Sequence, residues 1–420
     1  MDSPGPKAAK PKAPTRTSYG SSRYLSEDSM AKLYEVSNNE GVDAIHSAEW
    51  GTENHLKAHH PAGLCPAGGR QPVEIEDELK ILVTGATGYV GGRLVPLLLK
   101  RGHDVRTTTT NPGREQPWWA DQVDTVVMDA LDHGQVASAC AGVDAVYYLI
   151  HGMGGNDFAE TDRKAATNFA DGVRAHGVDR IVYLSGLVPD VPDADLSEHI
   201  KSRREVERIL RGVPATVVVL RAAVLLGSGS TSFEIIRQVS ERMPVHTLPT
   251  WMNSMVQPIA LVDALEALVG ALQYAGPSRH FDVGGPDQMR YVALLDAYTS
   301  HTKLTRLQLQ VPLLPTALVG TLVGSLTDVP RPTVEALVES LHHDMVAGDV
   351  DFLEMLLPEG HRLVGLDEAF RRSLAAPATG PEDADPMGPL PQDPVWASGG
   401  DDRPVRAKVV DAVKDVLPGS

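Results

Sequence analysis

The chain has 420 residues and a formal net charge of −17, length enough for one large domain or two with tails. The acidic balance argues against nucleic-acid binding, which needs a basic footprint, and two cysteines do not make a disulfide framework. No apolar secretory stretch opens the sequence, and the longest apolar run, residues 313–326 broken by Pro315, is too short to span a bilayer, so a cytoplasmic location without a membrane span is expected.

Residues 1–78 read as an N-terminal extension, largely disordered, because Met1–Tyr19 is rich in Pro, Lys, Ala and Ser. One short helix is expected at Ser29–Val36. His55, His59, His60 and Cys65 are metal-ligating types. No second cysteine pair supports a zinc site there, so a solvated loop and no metal are expected.

The stretch from Lys80 to Lys100 carries the strongest signal. Ile81, Leu82 and Val83 form a short apolar run, as a strand buried on both faces requires. Gly85, Gly88 and Gly91 follow, then an apolar helical pattern through Val95, Leu98 and Leu99. In a strand–turn–helix, the first glycine permits the tight turn, the second admits a pyrophosphate, and the third lets helix and strand pack closely. The free amides and positive dipole end of the helix then face the diphosphate. The spacing therefore predicts dinucleotide binding by Gly85, Thr87, Gly88, Tyr89, Val90 and Gly91.

A second strand is expected at Asp104–Thr110. An acidic residue commonly ends this strand where NAD is preferred. None is present, and Thr110 with Arg114 could receive a 2′-phosphate, so NADP(H) is the preferred cofactor and NAD(H) the alternative. Arg106 lies too early in the strand. The third strand, Thr125–Met128, leads to Asp129 and Ala130. Asp129 either meets the adenine or caps the segment beginning at Leu131. Cys140 ends a helical stretch and reads as a packed residue.

The fourth strand, Ala145–Ile150, brings Leu149 and His151 to its C-terminal end, beside Met153, where ligands bind in such sheets. A helix is expected at Phe158–His176, a fifth strand at Arg180–Ser185, a helix at Leu196–Leu210 and a sixth strand at Ala215–Leu220 before Arg221. This alternation predicts an α/β fold with a doubly wound parallel (Rossmann) sheet. Helices at Phe233–Met243 and Val262–Leu272 flank a strand at Met255–Ile259, and a short strand follows at His280–Val283. The Rossmann domain is accordingly set at 79–285, with 231–255 contributing to the cleft. Residues 286–374 read as a smaller, mostly helical substrate-side domain. Residues 375–420 read as a disordered tail with a short terminal helix, and either extension could meet a protein partner.

The motifs Thr84-Gly-Ala-Thr-Gly-Tyr-Val-Gly91, Tyr183-Leu-Ser-Gly-Leu187, Leu220-Arg-Ala-Ala223, Gln257-Pro-Ile-Ala-Leu-Val-Asp263 and Phe281-Asp-Val-Gly-Gly-Pro286 resemble an extended, atypical short-chain dehydrogenase/reductase. The likeness is to the NAD(P)H-binding, NmrA-like group, labelled nucleoside-diphosphate-sugar epimerase-like, and to the accessory NADPH-binding subunit of respiratory complex I. It covers residues 79–374. The resemblance implies a catalytic Tyr with a Lys four residues later. None of the ten tyrosines here has one; His199 and Arg203 stand in those places. An imidazole of ordinary pKa, about 6.5, could move a proton at neutral pH, and an adjacent guanidinium would depress it further and stay charged itself. Ser185 occupies the place of the family's catalytic Ser. The resemblance thus implies an oxidoreductase reducing a small organic substrate, with His199, Arg203 and Ser185 catalytic and Met153 and Arg221 near the substrate. A non-catalytic redox sensor or assembly factor is the alternative, and a sugar-nucleotide epimerase, which leans on the missing Tyr, a further one.

Overall fold

A computed structural model describes residues 78–113, 116–152, 157–312, 314–380, 382 and 384–398. The histidine cluster with Cys65, the Ser29–Val36 helix, the terminal helix, Arg114 and Met153 lie outside the described residues. The centre is a seven-stranded parallel sheet. Its strands are β1 (Lys80–Val83), β2 (Asp104–Thr109), β3 (Asp124–Val127), β4 (Ala145–Tyr148), β5 (Arg180–Gly186), β6 (Thr216–Ala222) and, after four short strands, β11 (Arg279–Val283). The order is β11-β6-β5-β4-β1-β2-β3. The reversal falls between β1 and β4, and such a switch point opens a crevice at the strands' C-terminal ends.

Alternation along β1 sorts the core. Ile81 and Val83 face helices α1 (Gly91–Lys100) and α6 (Leu261–Gln273), packing with Leu94, Leu98, Leu265 and Leu268. Leu82 faces α2 (His133–Cys140), α3 (Phe158–His176) and α4 (Glu198–Leu210), packing with Val136, Phe169 and Leu210. Both faces of the sheet are therefore covered, as an all-parallel sheet requires. Burial pushes the Cys140 thiol up to about 12, fitting a packed residue.

The expected strand at Met255–Ile259 is two short pieces, β9 (Met255–Val256) and β10 (Ile259–Ala260), because Pro258 interrupts the ladder. The cover over the sheet begins with β7 (Leu225–Leu226), α5 (Thr231–Arg242) and β8 (Val245–Pro249). It continues with β12 (Met289–Arg290), α7 (Tyr291–His301), β13 (Leu307–Val311), α8 (Thr316–Leu326) and α9 (Arg331–Ser340). Strand β13 pairs in parallel with β8, while Phe352, Leu356 and Phe370 further on pack into the same core as Leu265 and Leu268.

Residues 384–398 differ from the expected disordered tail. Met387 is fully buried, and Asp393 forms a salt bridge with Arg93 of α1 at 2.8 Å. Ser228 donates its amide to Met387 O at 2.8 Å. The Pro- and Gly-rich composition suggested disorder, but this segment places one apolar side chain and one carboxylate into sites prepared by α1 and the turn at 227–230.

Candidate active site

The glycine turn is built as its spacing requires. Gly85 sits at φ +63°, and its carbonyl accepts the Gly88 amide at 2.9 Å. A Cβ on Gly91 would lie 2.3 Å from Gly85 O, so a side chain there would push α1 off the turn. Of the first amides of α1, Gly92 donates to Gly88 O at 2.8 Å and Arg93 to Val90 O at 3.1 Å. A cleft of about 300 Å³ opens directly over Gly85, Gly88, Tyr89, Val90 and Gly91. Thr87 is half-buried and does not line that cleft. The Tyr89 ring lies 4.3 Å from the Arg93 guanidinium. Its hydroxyl is buried without a partner, and burial raises its pKa.

From the turn the cleft runs across the ends of β4 and β5, past Leu149, His151 and Ser185. Leu149 donates its amide to Thr84 Oγ1 at 3.1 Å, which joins this strand end to β1. Ser185 is 4% exposed. The Tyr183 hydroxyl lies close enough to be affected by it, yet no hydrogen bond of normal geometry engages Ser185 Oγ. A buried hydroxyl left unpaired beside a cleft is a donor for whatever enters it. His151 faces the cleft and lies beside Arg203 and His199. His151 is itself exposed, so its ring meets the open cleft rather than a closed interior.

His199 and Arg203 lie one turn apart on α4, on one face. Ser197 caps that helix by accepting the Ile200 amide at 3.3 Å. Arg203 Nε donates to His199 Nε2 at 3.1 Å, so Nε2 carries a lone pair and the ring proton sits on Nδ1. Burial, then the guanidinium, lowers the His199 pKa to about 4. The guanidinium acts in the expected direction, and burial adds the larger part. At pH 7 His199 is a neutral hydrogen-bonding group and no imidazolium acid.

Asp162 is a positioning residue that the sequence reading missed. It is 5% exposed on α3. Its Oδ1 accepts the Gly152 amide at 2.7 Å and its Oδ2 accepts Ser202 Oγ at 3.1 Å. It thus ties the His151 loop to the helix carrying His199 and Arg203. The available signal was a carboxylate three residues before Ala165, on the buried stripe of α3.

Other expected residues lie elsewhere. Arg221 is turned away from the cleft and forked onto Glu207, with Nε and one terminal nitrogen at 3.0 and 2.9 Å from Oε2. Both side chains are mostly buried, so Arg221 is a structural ion-pair residue rather than a substrate contact. Asp129 is exposed and accepts the Leu131 amide at 2.9 Å; the cap of α2 is Asp132 instead. Ala130 accepts Asn168 Nδ2 at 2.8 Å. Thr110 is exposed at the end of β2, whereas Thr109 Oγ1 is engaged by the Asn111 amide. Arg106 is held by Asp124 at 2.8 Å and by two carbonyls near the end of α2. The residues present fit a dinucleotide: a turn with glycine at positions 85, 88 and 91, the start of α1 beside it, and a buried hydroxyl near a guanidinium further along the cleft.

The sheet order and the glycine turn at its switch point are those of a Rossmann-like α/β fold. A family model described as NAD(P)H-binding matches residues 85–246. The chain is 34% identical to a 3-beta-hydroxysteroid dehydrogenase from Mycolicibacterium neoaurum over 25% of this chain and 31% of that protein. It is 27% identical to a 3-diazoavenalumate denitrifying reductase from a Streptomyces species, over 46% of this chain and 72% of that protein. The chain thus spans under a third of the first relative's length and most of the second's. Among solved structures, the NADPH-dependent quinone oxidoreductase of Escherichia coli, complexed with NADPH, aligns with TM-score 0.55 and 19% identity. That alignment covers 70% of this chain and 99% of that one, and the likeness is one of fold.

Proposed function

We propose that the protein is a reductase of the atypical, NmrA-like kind that uses NADP(H), with NAD(H) as the alternative, to reduce a small organic substrate. The observation that carries this reading is the continuity of the cleft. It runs from the glycine turn past Ser185, His199 and Arg203. The Streptomyces reductase, matched over most of its length, supports the same class.

In this reading Gly85, Gly88, Tyr89, Val90 and Gly91 cradle the diphosphate, and Leu149 and His151 line the path toward the reactive ring. The bound cofactor supplies the hydride. Ser185 Oγ–H donates to the acceptor oxygen, and the fixed Arg203 charge stabilises negative charge developing there. His199, neutral at working pH, offers Nδ1–H as a hydrogen-bond donor. The proton that completes the product then comes from water. Arg114, with Thr110, is the candidate for a 2′-phosphate. Such a reaction belongs where NADPH is maintained, which favours the cytoplasm.

A second reading, a dinucleotide-binding sensor or assembly factor without turnover, is favoured by the absent Tyr/Lys pair and the neutral His199. Anaerobic NADPH oxidation against a panel of carbonyls, enones and quinones separates the two. A reductase consumes NADPH with at least one acceptor and slows when Ser185 becomes Ala. A sensor consumes none and shows instead a partner whose binding depends on the dinucleotide.

A further inference from the structure

The turn 227–230 is a socket with three successive positions in use. The Tyr89 phenol fills the space over Gly227, where a Cβ would lie 2.2 Å from its oxygen. Ser228 O accepts a terminal nitrogen of Arg93 at 2.8 Å, and the Ser228 amide donates to Met387 O at 2.8 Å. Over Gly229, at φ +83°, sits the Asp393 carboxylate, its carbon 2.8 Å from where a Cβ would be. Tyr89 and Arg93 come from the glycine turn and α1, whereas Met387 and Asp393 come from residues 384–398. The socket ends at Ser230, the residue before α5. Ser230 and Thr231 line the cleft, as do Tyr89 and Val90.

We propose that residues 384–398 are a strap that sets the width of the cleft beside the glycine turn, so that strap docking and dinucleotide binding strengthen each other. The proposal rests on the dinucleotide reading of the same site. Arg93 is the joint. Its terminal nitrogens fork onto the two Asp393 oxygens at 2.8 and 2.9 Å. The same guanidinium donates to Tyr89 O at 3.3 Å and Ser228 O at 2.8 Å, one carbonyl from the glycine turn and one from the socket. A guanidinium is planar and its donors are rigidly spaced, so seating the fork on Asp393 fixes both carbonyls together. Without the carboxylate that orientation is lost, and the Tyr89 backbone can shift relative to Ser230 and Thr231. Neither Arg93 nor Asp393 lines the cleft, so both are positioning residues.

The construction of the strap suits a coupled segment. Within 384–398 the only regular element is one short helical turn, Val395–Ser398. The rest is held at spaced points. Met387 is fully buried, Asp393 sits on Arg93, and Trp396 O and Ala397 O accept Gln238 Nε2 and Arg237 of α5, each at 2.9 Å. The strap therefore runs from α1 to α5, across the junction between the sheet domain and its cover. A segment held by a few side chains opens at a free energy well below that of global unfolding. A bound dinucleotide can then change its population measurably. By linkage, the factor by which a docked strap raises dinucleotide affinity equals the factor by which the dinucleotide raises strap docking.

The test reads both sides of that equality on the full-length protein. Hydrogen exchange is followed at the Asp393 and Ala397 amides, which donate to Leu390 O and Pro394 O, with and without saturating NADPH. NADPH affinity is measured by fluorescence titration, well below Tm, for the parent, Asp393→Asn and Met387→Asp. NADPH should slow strap exchange in the parent roughly tenfold, and each variant should exchange faster in the strap and bind NADPH roughly tenfold more weakly. The two substitutions change the charge in opposite directions, so a matching loss reports position rather than charge near the diphosphate. A strap that only stabilises the fold would lower Tm and leave NADPH affinity within about twofold of the parent. Strap exchange indifferent to NADPH overturns the proposal, as does unchanged affinity in a folded variant whose strap exchanges faster. If Met387→Asp does not fold, Asp393→Asn and the exchange of the parent decide. A parent that binds no NADPH overturns the dinucleotide reading instead, a distinguishable result.

Discussion

Removing the Asp393 carboxylate should destabilise the fold through the helix that carries the glycine turn. The Arg93 side chain is 1% exposed and Asp393 10%. The guanidinium also donates to Pro386 O at 2.7 Å and Ser228 O at 2.8 Å, with longer bonds to Tyr89 O and Gly388 O. Breaking a buried pair by deleting one partner costs about 3–5 kcal/mol, because a charge is left without its counterpart. Here four carbonyls remain around Arg93, so the loss for Asp393→Ala belongs at the lower end, about 3 kcal/mol. In a body of this size that is a fall of roughly 4–5 °C in Tm. Urea unfolding gives the free energy directly. The double variant Arg93→Met with Asp393→Leu should recover most of the loss, since an apolar pair of similar volume replaces the ionic one. A single Asp393→Ala variant within about 0.5 kcal/mol of the parent would refute the reasoning, because it would mean that the 384–398 segment only rests on α1.

Gly91→Ala should lower NADPH affinity at least roughly tenfold and destabilise the fold by about 1–3 kcal/mol, because the new Cβ would meet Gly85 O; fluorescence titration and urea unfolding read the two effects. His246 is 1% exposed with neither ring nitrogen paired, and its pKa is lowered to about 4, by burial first and then by Arg306. A histidine depressed in the folded state stabilises above the unfolded pKa of about 6.5 and loses that contribution as pH falls toward 4. Between pH 7 and pH 4.5 it should account for about 2 kcal/mol of lost stability, and a His246→Asn variant should lose correspondingly less over that interval. If turnover is found, its profile between pH 6 and 8 should be the same for the parent and His199→Asn, since His199 is neutral throughout. Arg203→Met should weaken cofactor or acceptor binding roughly tenfold, as the loss of a charged hydrogen-bond donor does.

The sequence made the sheet legible because buried parallel strands are short apolar runs, and those from Ile81 to Val219 announce themselves. The glycine turn was legible for a related reason: three glycines at that spacing serve contacts that admit no Cβ. The far end of the cleft was half legible. The resemblance to the short-chain dehydrogenase/reductases pointed to His199, Arg203 and Ser185, and the cleft brings them together. That Arg203 one turn on lowers the His199 pKa was legible, whereas the burial that contributes most was not. Arg221 was misread because its partner, Glu207, lies on the helix before it, and sequence does not show which side of a strand end a long side chain takes. Residues 384–398 were misread because composition reports the mean character of a segment. Met387 and Asp393 are two side chains whose sites are made by residues about three hundred positions earlier in the case of Arg93.

The most direct measurement is a titration of the purified full-length protein with NADPH, followed by the cofactor's fluorescence, beside the same titration of Gly88→Val. Saturable one-to-one binding to the parent, lost in a variant that keeps its helical circular dichroism, is the expected result. A parent that binds neither NADPH nor NADH, or a Gly88→Val variant that binds as tightly as the parent, would contradict the assignment of the cleft to a dinucleotide.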